Sequence, residues 1–148
     1  MTQVTASKLI ELLQRCDSQA RIHLALGSTD HQGNLKIPPL KSIEYCSTSN
    51  AILLYHKRTS EADDHKISAG RAIDFLQTRV SDAGVWMCNG TKRKQIVFVE
   101  SCVASGIVCL WTVIPDFTDP NYHNDIDILS KDAFFAETIY YDIEGKSL

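Results

Sequence analysis

The feature of this sequence that most constrains its fold is a pattern that occurs twice, over residues 5–57 and again over residues 68–114. The first parts of the two stretches align at an offset of 63 residues. The second parts align at an offset of 56, because the first stretch has the longer internal loop. The aligned parts share 11 identities in 39 positions, whereas chance at ordinary composition gives about one match in fifteen. We therefore predict two tandem units of the same structure.

Each unit opens with the pattern of an amphipathic helix. Apolar side chains recur at the spacing i, i+3, i+4, i+7, which places them on one helical face. Thr5 and Ser68 precede these stretches at matching places, where a hydroxyl oxygen can accept a hydrogen bond from an otherwise unpaired backbone N–H. The apolar positions are Ala6, Leu9, Ile10 and Leu13 in the first unit and Ala69, Ala72, Ile73 and Leu76 in the second.

Three strands are predicted to follow each helix. Residues 22–26 and 85–88 alternate in the way that is typical of a strand. After a loop, two further strands are joined by a tight turn at Ser49-Asn50 in the first unit and Ser105-Gly106 in the second. Asn and Gly suit such turns because they tolerate positive φ.

The last strand of each unit is a nearly continuous apolar run, over residues 51–55 and 107–114. Such runs are typical of central strands that are covered on both faces. The predicted fold class is α+β: two helix-plus-three-strand units forming one mainly antiparallel six-stranded sheet with both helices on one face. At 148 residues, the chain is expected to be a single domain over residues 1–148.

The C-terminal segment, residues 116–148, differs in charge from the rest of the chain. It carries eight acidic and two basic side chains, whereas residues 1–115 carry 13 Lys or Arg and 10 Asp or Glu. Its aromatic and aliphatic residues predict packing on the second face of the sheet or along an edge. Two alternatives stay open for residues 130–143: a helix capped by Ser130 and running to about Tyr141, or a strand over TIYYDI.

Candidate binding residues are those that differ between the units. The first unit has a long loop with prolines, Ser28–Pro39, and the second has a short loop, Thr91–Gln95, with a basic tip. The acidic segment follows the second unit alone. The residues predicted to contact a partner are Lys92, Arg93, Lys94, Asp119, Asp125 and Asp127.

The sequence contains no specific catalytic, metal-binding or cofactor-binding signature, and we predict neither a catalytic residue nor a cofactor. Glu44 and Glu100 occupy equivalent places, and neighbouring carboxylates can serve acid–base chemistry. Strand alternation instead predicts each on a polar sheet face, and whether they come together stays open. Cys46 and Cys102 have no activating histidine nearby and are interpreted as packing residues.

The five cysteines are scattered and lack CxxC spacing, which suits a reducing compartment. The N-terminus has no signal-peptide pattern and no apolar stretch is long enough to span a bilayer. We therefore expect a cytoplasmic protein.

The opening stretch ASKLIELLQRCDSQARIHLAL, residues 6–26, resembles the start of many small uncharacterised bacterial and phage proteins. The shared features are a leucine-rich helix, Asp and Ala at the turn, and a following strand. Cys16-Asp17-Ser18 stands where Asp-Pro is usual in those proteins. The resemblance implies a prokaryotic or mobile-element origin and carries over no functional residues.

These features favour a non-enzymatic protein that binds a macromolecular partner, such as a phage or plasmid accessory factor or an immunity-type inhibitor. The partner is expected to be a protein, since an acidic aromatic segment can meet a basic surface. Neither a membrane nor a nucleic acid is expected, and a homo-oligomer is left open. The second hypothesis is a binder of a small, nucleotide-like ligand at an interface between units or subunits. The third is a small hydrolase.

Overall fold

The computed structural model describes residues 4–26, 37–57, 67–79, 81–102, 106–112 and 138–142. Expectations for the loop at 28–36, the linker at 58–64 and residues 116–137 lie outside these ranges. The elements in chain order are α1 (Ala6–Leu13), β1 (Arg21–Ala25), β2 (Ser42–Cys46), β3 (Ala51–Tyr55), α2 (Ala69–Gln77), β4 (Gly84–Asn89), β5 (Lys92–Gln95), β6 (Phe98–Cys102), β7 (Ile107–Trp111) and β8 (Thr138–Asp142).

The strands form two four-stranded sheets. One has the order β2-β3-β4-β5 and the other the order β1-β7-β6-β8. In each sheet two of the three pairings are antiparallel. The prediction of a mainly antiparallel α+β fold is confirmed, but the prediction of a single six-stranded sheet is wrong.

The sheets divide in this way because the first strand of each unit pairs with the other unit. β1 pairs in parallel with β7, and β4 pairs in parallel with β3. Arg21 lies opposite Ile107 in the first pairing, and Gly84 lies opposite Ala51 in the second. Arg21 and Gly84 are 63 residues apart and Ala51 and Ile107 are 56 apart, so the two registers follow the offsets of the sequence alignment.

Both helices begin at the predicted caps. The Thr5 hydroxyl oxygen accepts a hydrogen bond from the Lys8 N–H at 3.2 Å, and the Ser68 hydroxyl oxygen accepts one from the Arg71 N–H at 3.2 Å. The predicted hairpin turns are also confirmed at Asn50 and Gly106, whose φ angles are 47° and 65°. Asn and Gly are the residues that adopt this left-handed conformation at low cost.

One principal core combines apolar side chains from both helices and both sheets. Alternate residues of β1, β2, β3, β4, β6 and β7 contribute to it or pack against it. Residues between them form separate apolar clusters on the opposite face of each sheet. Burial of one shared core stabilises the two units together. Its members include Leu9, Leu12, Leu13, Ile22, Leu24, Ile52, Leu54, Leu76, Val85, Met87, Val99, Val108 and Leu110.

The basic residues predicted at a loop tip lie instead in an edge strand. β5 pairs antiparallel with β4, with Gln95 opposite Trp86. At the matching place in the first unit, His23 and Pro39 form an isolated bridge. Proline has no N–H to donate to a ladder at this position.

Of the two alternatives left open for residues 130–143, the structure has a strand, β8, over Thr138–Asp142. β8 pairs antiparallel with β6, with Thr138 opposite Cys102 and Asp142 opposite Phe98. Within the part of the chain that the structure describes, no helix is both long and apolar enough to cross a membrane.

Candidate functional site

The two sheets differ in the face that points away from the principal core. On the β1-β7-β6-β8 sheet, this face is largely covered, and its buried side chains are Ala25, His23, Phe98, Glu100, Ile107, Cys109 and Trp111. On the β2-β3-β4-β5 sheet, the same face is partly exposed, and we call it the open face. Its side chains are Ser42, Glu44, Cys46, Ala51, Leu53, Tyr55, Trp86, Cys88, Arg93 and Gln95.

The open face has an apolar centre and charged margins. Leu53 and Cys88 are buried, Tyr55 and Trp86 are half-buried beside them, and Arg93 is exposed on the edge strand. The strand registers place these residues in two adjacent rows, which are Glu44–Leu53–Trp86 and Tyr55–Cys88–Arg93. Cys88 therefore lies between Tyr55 and Arg93, and Trp86 lies diagonally opposite Arg93 on the neighbouring strand.

The central polar groups of the open face are neutral at neutral pH. Burial raises the pKa of the Tyr55 phenol, and the neighbouring Cys88 and Glu44 raise it further. Burial also raises the pKa of the Cys88 thiol, against a smaller opposing effect of its hydrogen bond with Tyr55. The formal charges on this face are thus confined to Glu44 at one side and Arg93 at the other.

Cys46, at the end of β2, has a more acidic thiol. Hydrogen bonds with the Ser49 hydroxyl and the Ser49 backbone lower its pKa, and the Thr48 backbone and the charge of Arg93 add to this effect. The side chain packs against the apolar cluster of the open face, yet it is half-exposed. Sequence reasoning missed this property because it sought a histidine, whereas here the turn itself stabilises the thiolate.

A cleft of about 400 Å³ opens where β3 meets β4, at one end of the open face. Asn50 organises its rim: the Tyr45 hydroxyl donates to Asn50 Oδ1 at 2.8 Å, and Asn50 Nδ2 donates to Asp82 Oδ1 at 3.3 Å. The cleft therefore joins residues of the first and second units. Its lining residues are Ser49, Asn50, Ala51, Asp82, Gly84, Trp86 and Arg93.

Three of the predicted binding residues lie on β5. Lys92 and Arg93 are exposed, and Arg93 is the one that reaches the open face. Lys94 is half-buried, and its Nζ donates to the Leu26 carbonyl oxygen at 3.3 Å. The other three, Asp119, Asp125 and Asp127, lie outside the described residues.

The two equivalent glutamates lie in different sheets. Glu44 is exposed on β2, while Glu100 is fully buried on β6, at 0% exposure. The prediction of a polar face is therefore wrong for Glu100, because the outer face of its sheet is covered. In that sheet, Glu100 lies opposite Cys109, which lies opposite His23. Nowhere in the described ranges do three or more His, Cys, Asp or Glu form a group suited to a metal ion.

Comparison with known proteins identifies no relative of this chain. No protein-family model, curated protein or solved structure matches it. The open face and its cleft are therefore the candidate binding surface of this chain.

Proposed function

We propose that this chain is a non-enzymatic binding protein, that its partner is another protein, and that the open face is the contact surface. The supporting observation is that Trp86, Tyr55 and Arg93 lie around the buried Leu53 and Cys88 on one sheet face. Trp, Tyr and Arg are the residue types that contribute most to the binding energy of protein interfaces. A half-buried ring on a rigid sheet also loses little conformational entropy when it is covered.

Charge indicates the chemistry of the partner surface. Arg93 is exposed at the margin of the open face, whereas its neighbour Lys92 is exposed on the other side of the sheet. A partner is expected to bring a carboxylate to this margin and an apolar side chain to the space between the rings. A phage or plasmid accessory factor, or an immunity-type inhibitor, that acts in the cytoplasm would be a binding protein of this kind.

We further propose that the two units, residues 5–57 and 68–114, are copies of one ancestral unit within a single domain. The matched strand registers support this, and so do matched hydrogen bonds outside the strands. Arg21 N–H donates to the Gly106 carbonyl at 2.9 Å, and its equivalent Gly84 N–H donates to the Asn50 carbonyl at 3.2 Å. Positions of the open face that differ from their equivalents in the other unit would then be those at which the copies diverged for binding.

The test of the open face compares three variants as affinity baits in a lysate of the source cell. We expect wild-type protein and Lys92→Glu to capture the same stoichiometric partner, and Trp86→Ala and Arg93→Glu to lose it. Lys92 is the matched control because it adjoins Arg93 on the same strand, and strand alternation turns it to the other sheet face. Equal capture by all four proteins, or the absence of any stoichiometric partner, would contradict the proposal.

A small-ligand binder is the second candidate, and the cleft at the junction of the units supports it. Trp86 offers a stacking surface and Arg93 an anion contact in the same cleft. Thermal-shift measurements with nucleotides test this candidate, since a ligand that binds the folded state raises the unfolding midpoint by mass action. We expect such a shift to disappear in Trp86→Ala. A wild-type midpoint that no nucleotide changes would remove nucleotides from consideration.

A further inference from the structure

We infer that the cleft at the junction of the two units binds a guanine nucleotide, which rests on the small-ligand candidate above and names its ligand. The base would stack on Trp86 with its donor edge at Asp82, and the phosphate would lie at Arg93. The support is the order of three chemical groups along the cleft: an acceptor, a flat ring and a cation.

Two small, buried residues line the cleft. Gly84 lies opposite Ala51 where β4 pairs with β3. In the other sheet, the equivalent pair is Arg21 opposite Ile107, and Ile107 is fully buried. The smaller pair leaves room at the β3-β4 junction, where the cleft measures about 400 Å³. Ligand pockets of folded proteins have volumes of roughly 300–1,000 Å³.

Three chemically different groups follow one another along the cleft. Asp82 lies two residues before Gly84, and Trp86 lies two residues after it on β4. Arg93 lies opposite Cys88, two residues beyond Trp86. Asp82, Trp86 and Arg93 all line the cleft. The indole therefore lies between a carboxylate and a guanidinium, and a ligand that contacts all three needs a flat centre with different groups at its two ends.

The exposed Asp82 carboxylate is held in place and still has acceptor capacity. Asn50 Nδ2 donates to Asp82 Oδ1 at 3.3 Å, while Asn50 Oδ1 accepts from the Tyr45 hydroxyl at 2.8 Å. Both ends of the Asn50 amide are therefore engaged, which fixes its orientation. A carboxylate accepts about four hydrogen bonds and donates none. The ligand group beside Asp82 must consequently be a donor.

Guanine is the nucleobase whose edge matches this requirement. Its N1–H and its N2 amino group are adjacent donors, so together they pair with both oxygens of one carboxylate. Adenine and cytosine present one donor next to an acceptor nitrogen, and uracil presents one donor between two carbonyl groups. In each of these bases an acceptor would face a carboxylate oxygen, which weakens binding.

The charges around the cleft favour the phosphate at Arg93. This side chain is exposed, and a guanidinium donates two parallel hydrogen bonds to a phosphate. Asp82 lies at the opposite end of the cleft. Glu44 lies on β2 opposite Leu53 and is not among the lining residues. An anionic group therefore meets its attraction at Arg93 and its repulsion at the far end.

Isothermal titration calorimetry with the purified full-length protein tests the assignment. We expect guanosine monophosphate to bind about tenfold or more tightly than adenosine monophosphate, and than inosine monophosphate, which lacks only the 2-amino group. Asp82→Asn should bring the three dissociation constants within about twofold, because the new amide keeps its oxygen toward Asn50 and turns its NH₂ toward the donors of the base. Asp74→Asn, at an exposed acid on α2, is the matched control and should keep the preference.

Two further variants test the phosphate end and the floor of the cleft. Arg93→Gln should weaken guanosine monophosphate about tenfold or more and leave guanosine within about twofold, since guanosine has no phosphate. Lys92→Gln removes a charge from the opposite sheet face and should change neither. Ala51→Ile places in the cleft the side chain found at the equivalent Ile107 and should weaken both ligands. If Ala51→Ile loses its circular dichroism spectrum, the variants at the exposed Asp82 and Arg93 still decide the result.

Three results would overturn the assignment: equal affinity for guanosine and adenosine monophosphate, a preference that Asp82→Asn leaves unchanged, and a loss in Arg93→Gln that is equal for guanosine and its monophosphate. Tighter binding of a different nucleotide would overturn guanine and leave the small-ligand candidate in place. The absence of both heat and a thermal shift with every nucleotide at millimolar concentration would contradict the two together.

Discussion

Ala6 donates its backbone N–H to the carbonyl oxygen of Ala83 at 2.8 Å. The reciprocal bond runs from the Ala69 N–H to the Ala20 carbonyl, also at 2.8 Å. Each helix therefore begins on the segment that leads into the first strand of the other unit. Since those first strands also pair with the opposite unit, neither unit has its complete set of backbone partners alone.

The exchange of partners predicts one cooperative unfolding transition. Leu13 belongs to the first unit and is fully buried, whereas both tryptophans, Trp86 and Trp111, belong to the second. We expect Leu13→Ala to lower the free energy of unfolding by about 2–5 kcal/mol. Tryptophan fluorescence and far-UV circular dichroism in urea should report the same loss.

Gln14→Ala, at the adjacent exposed position, is the control and should change stability by no more than about 0.5 kcal/mol. Two separate transitions, or a fluorescence midpoint that Leu13→Ala leaves unchanged, would show that the units fold independently.

The two helix caps should contribute almost equally to stability. Thr5 and Ser68 accept hydrogen bonds of the same length from equivalent N–H groups. Replacing either by Ala should lower the free energy of unfolding by about 1 kcal/mol. Ser7→Ala, on the exposed side of the first turn, should have little effect in the same urea titrations. A large cost for one cap and none for the other would contradict their equivalence.

Glu44 and Glu100 should respond oppositely to the same substitution despite their equivalent positions. Glu100→Ala removes a buried polar group and leaves its surroundings unsatisfied, which costs about 1–3 kcal/mol or more. Glu44→Ala changes an exposed side chain and should stay within about 0.5 kcal/mol of wild type. Chemical denaturation of the two variants measures both values, and similar losses would mean that Glu100 is not in a buried environment.

Cys46 should react with alkylating reagents before the other described cysteines. Its lowered pKa means that the thiolate forms at lower pH than in an ordinary thiol, while burial raises the pKa of Cys16 and Cys88 and keeps them protonated. Peptide mapping after iodoacetamide treatment at a series of pH values gives the midpoint for each cysteine. Ser49→Ala should shift the Cys46 midpoint upward. An unchanged midpoint would show that Ser49 does not stabilise the thiolate.

Local elements were predictable because local chemistry decides them. A hydroxyl at Thr5 or Ser68 caps whatever helix follows it, and Asn50 suits a left-handed turn in any hairpin. The candidate site was predictable in part: the sequence singled out Arg93, but not its position beside Trp86 on the open face. The acidity of the Cys46 thiol could not be predicted, because it depends on where the Ser49 hydroxyl and backbone lie after folding.

By itself, the sequence determined the two helices, the apolar strands, the hairpin turns and the matched spacing of the two units. These follow from periodicity, capping and backbone preference within a few residues. The tertiary structure alone decided that β1 and β4 exchange partners, that two sheets form, that Glu100 is buried and Glu44 exposed, and that β8 pairs with β6. The physical reason is that an alternating strand suits many neighbours equally well, and burial of the shared core selects among them.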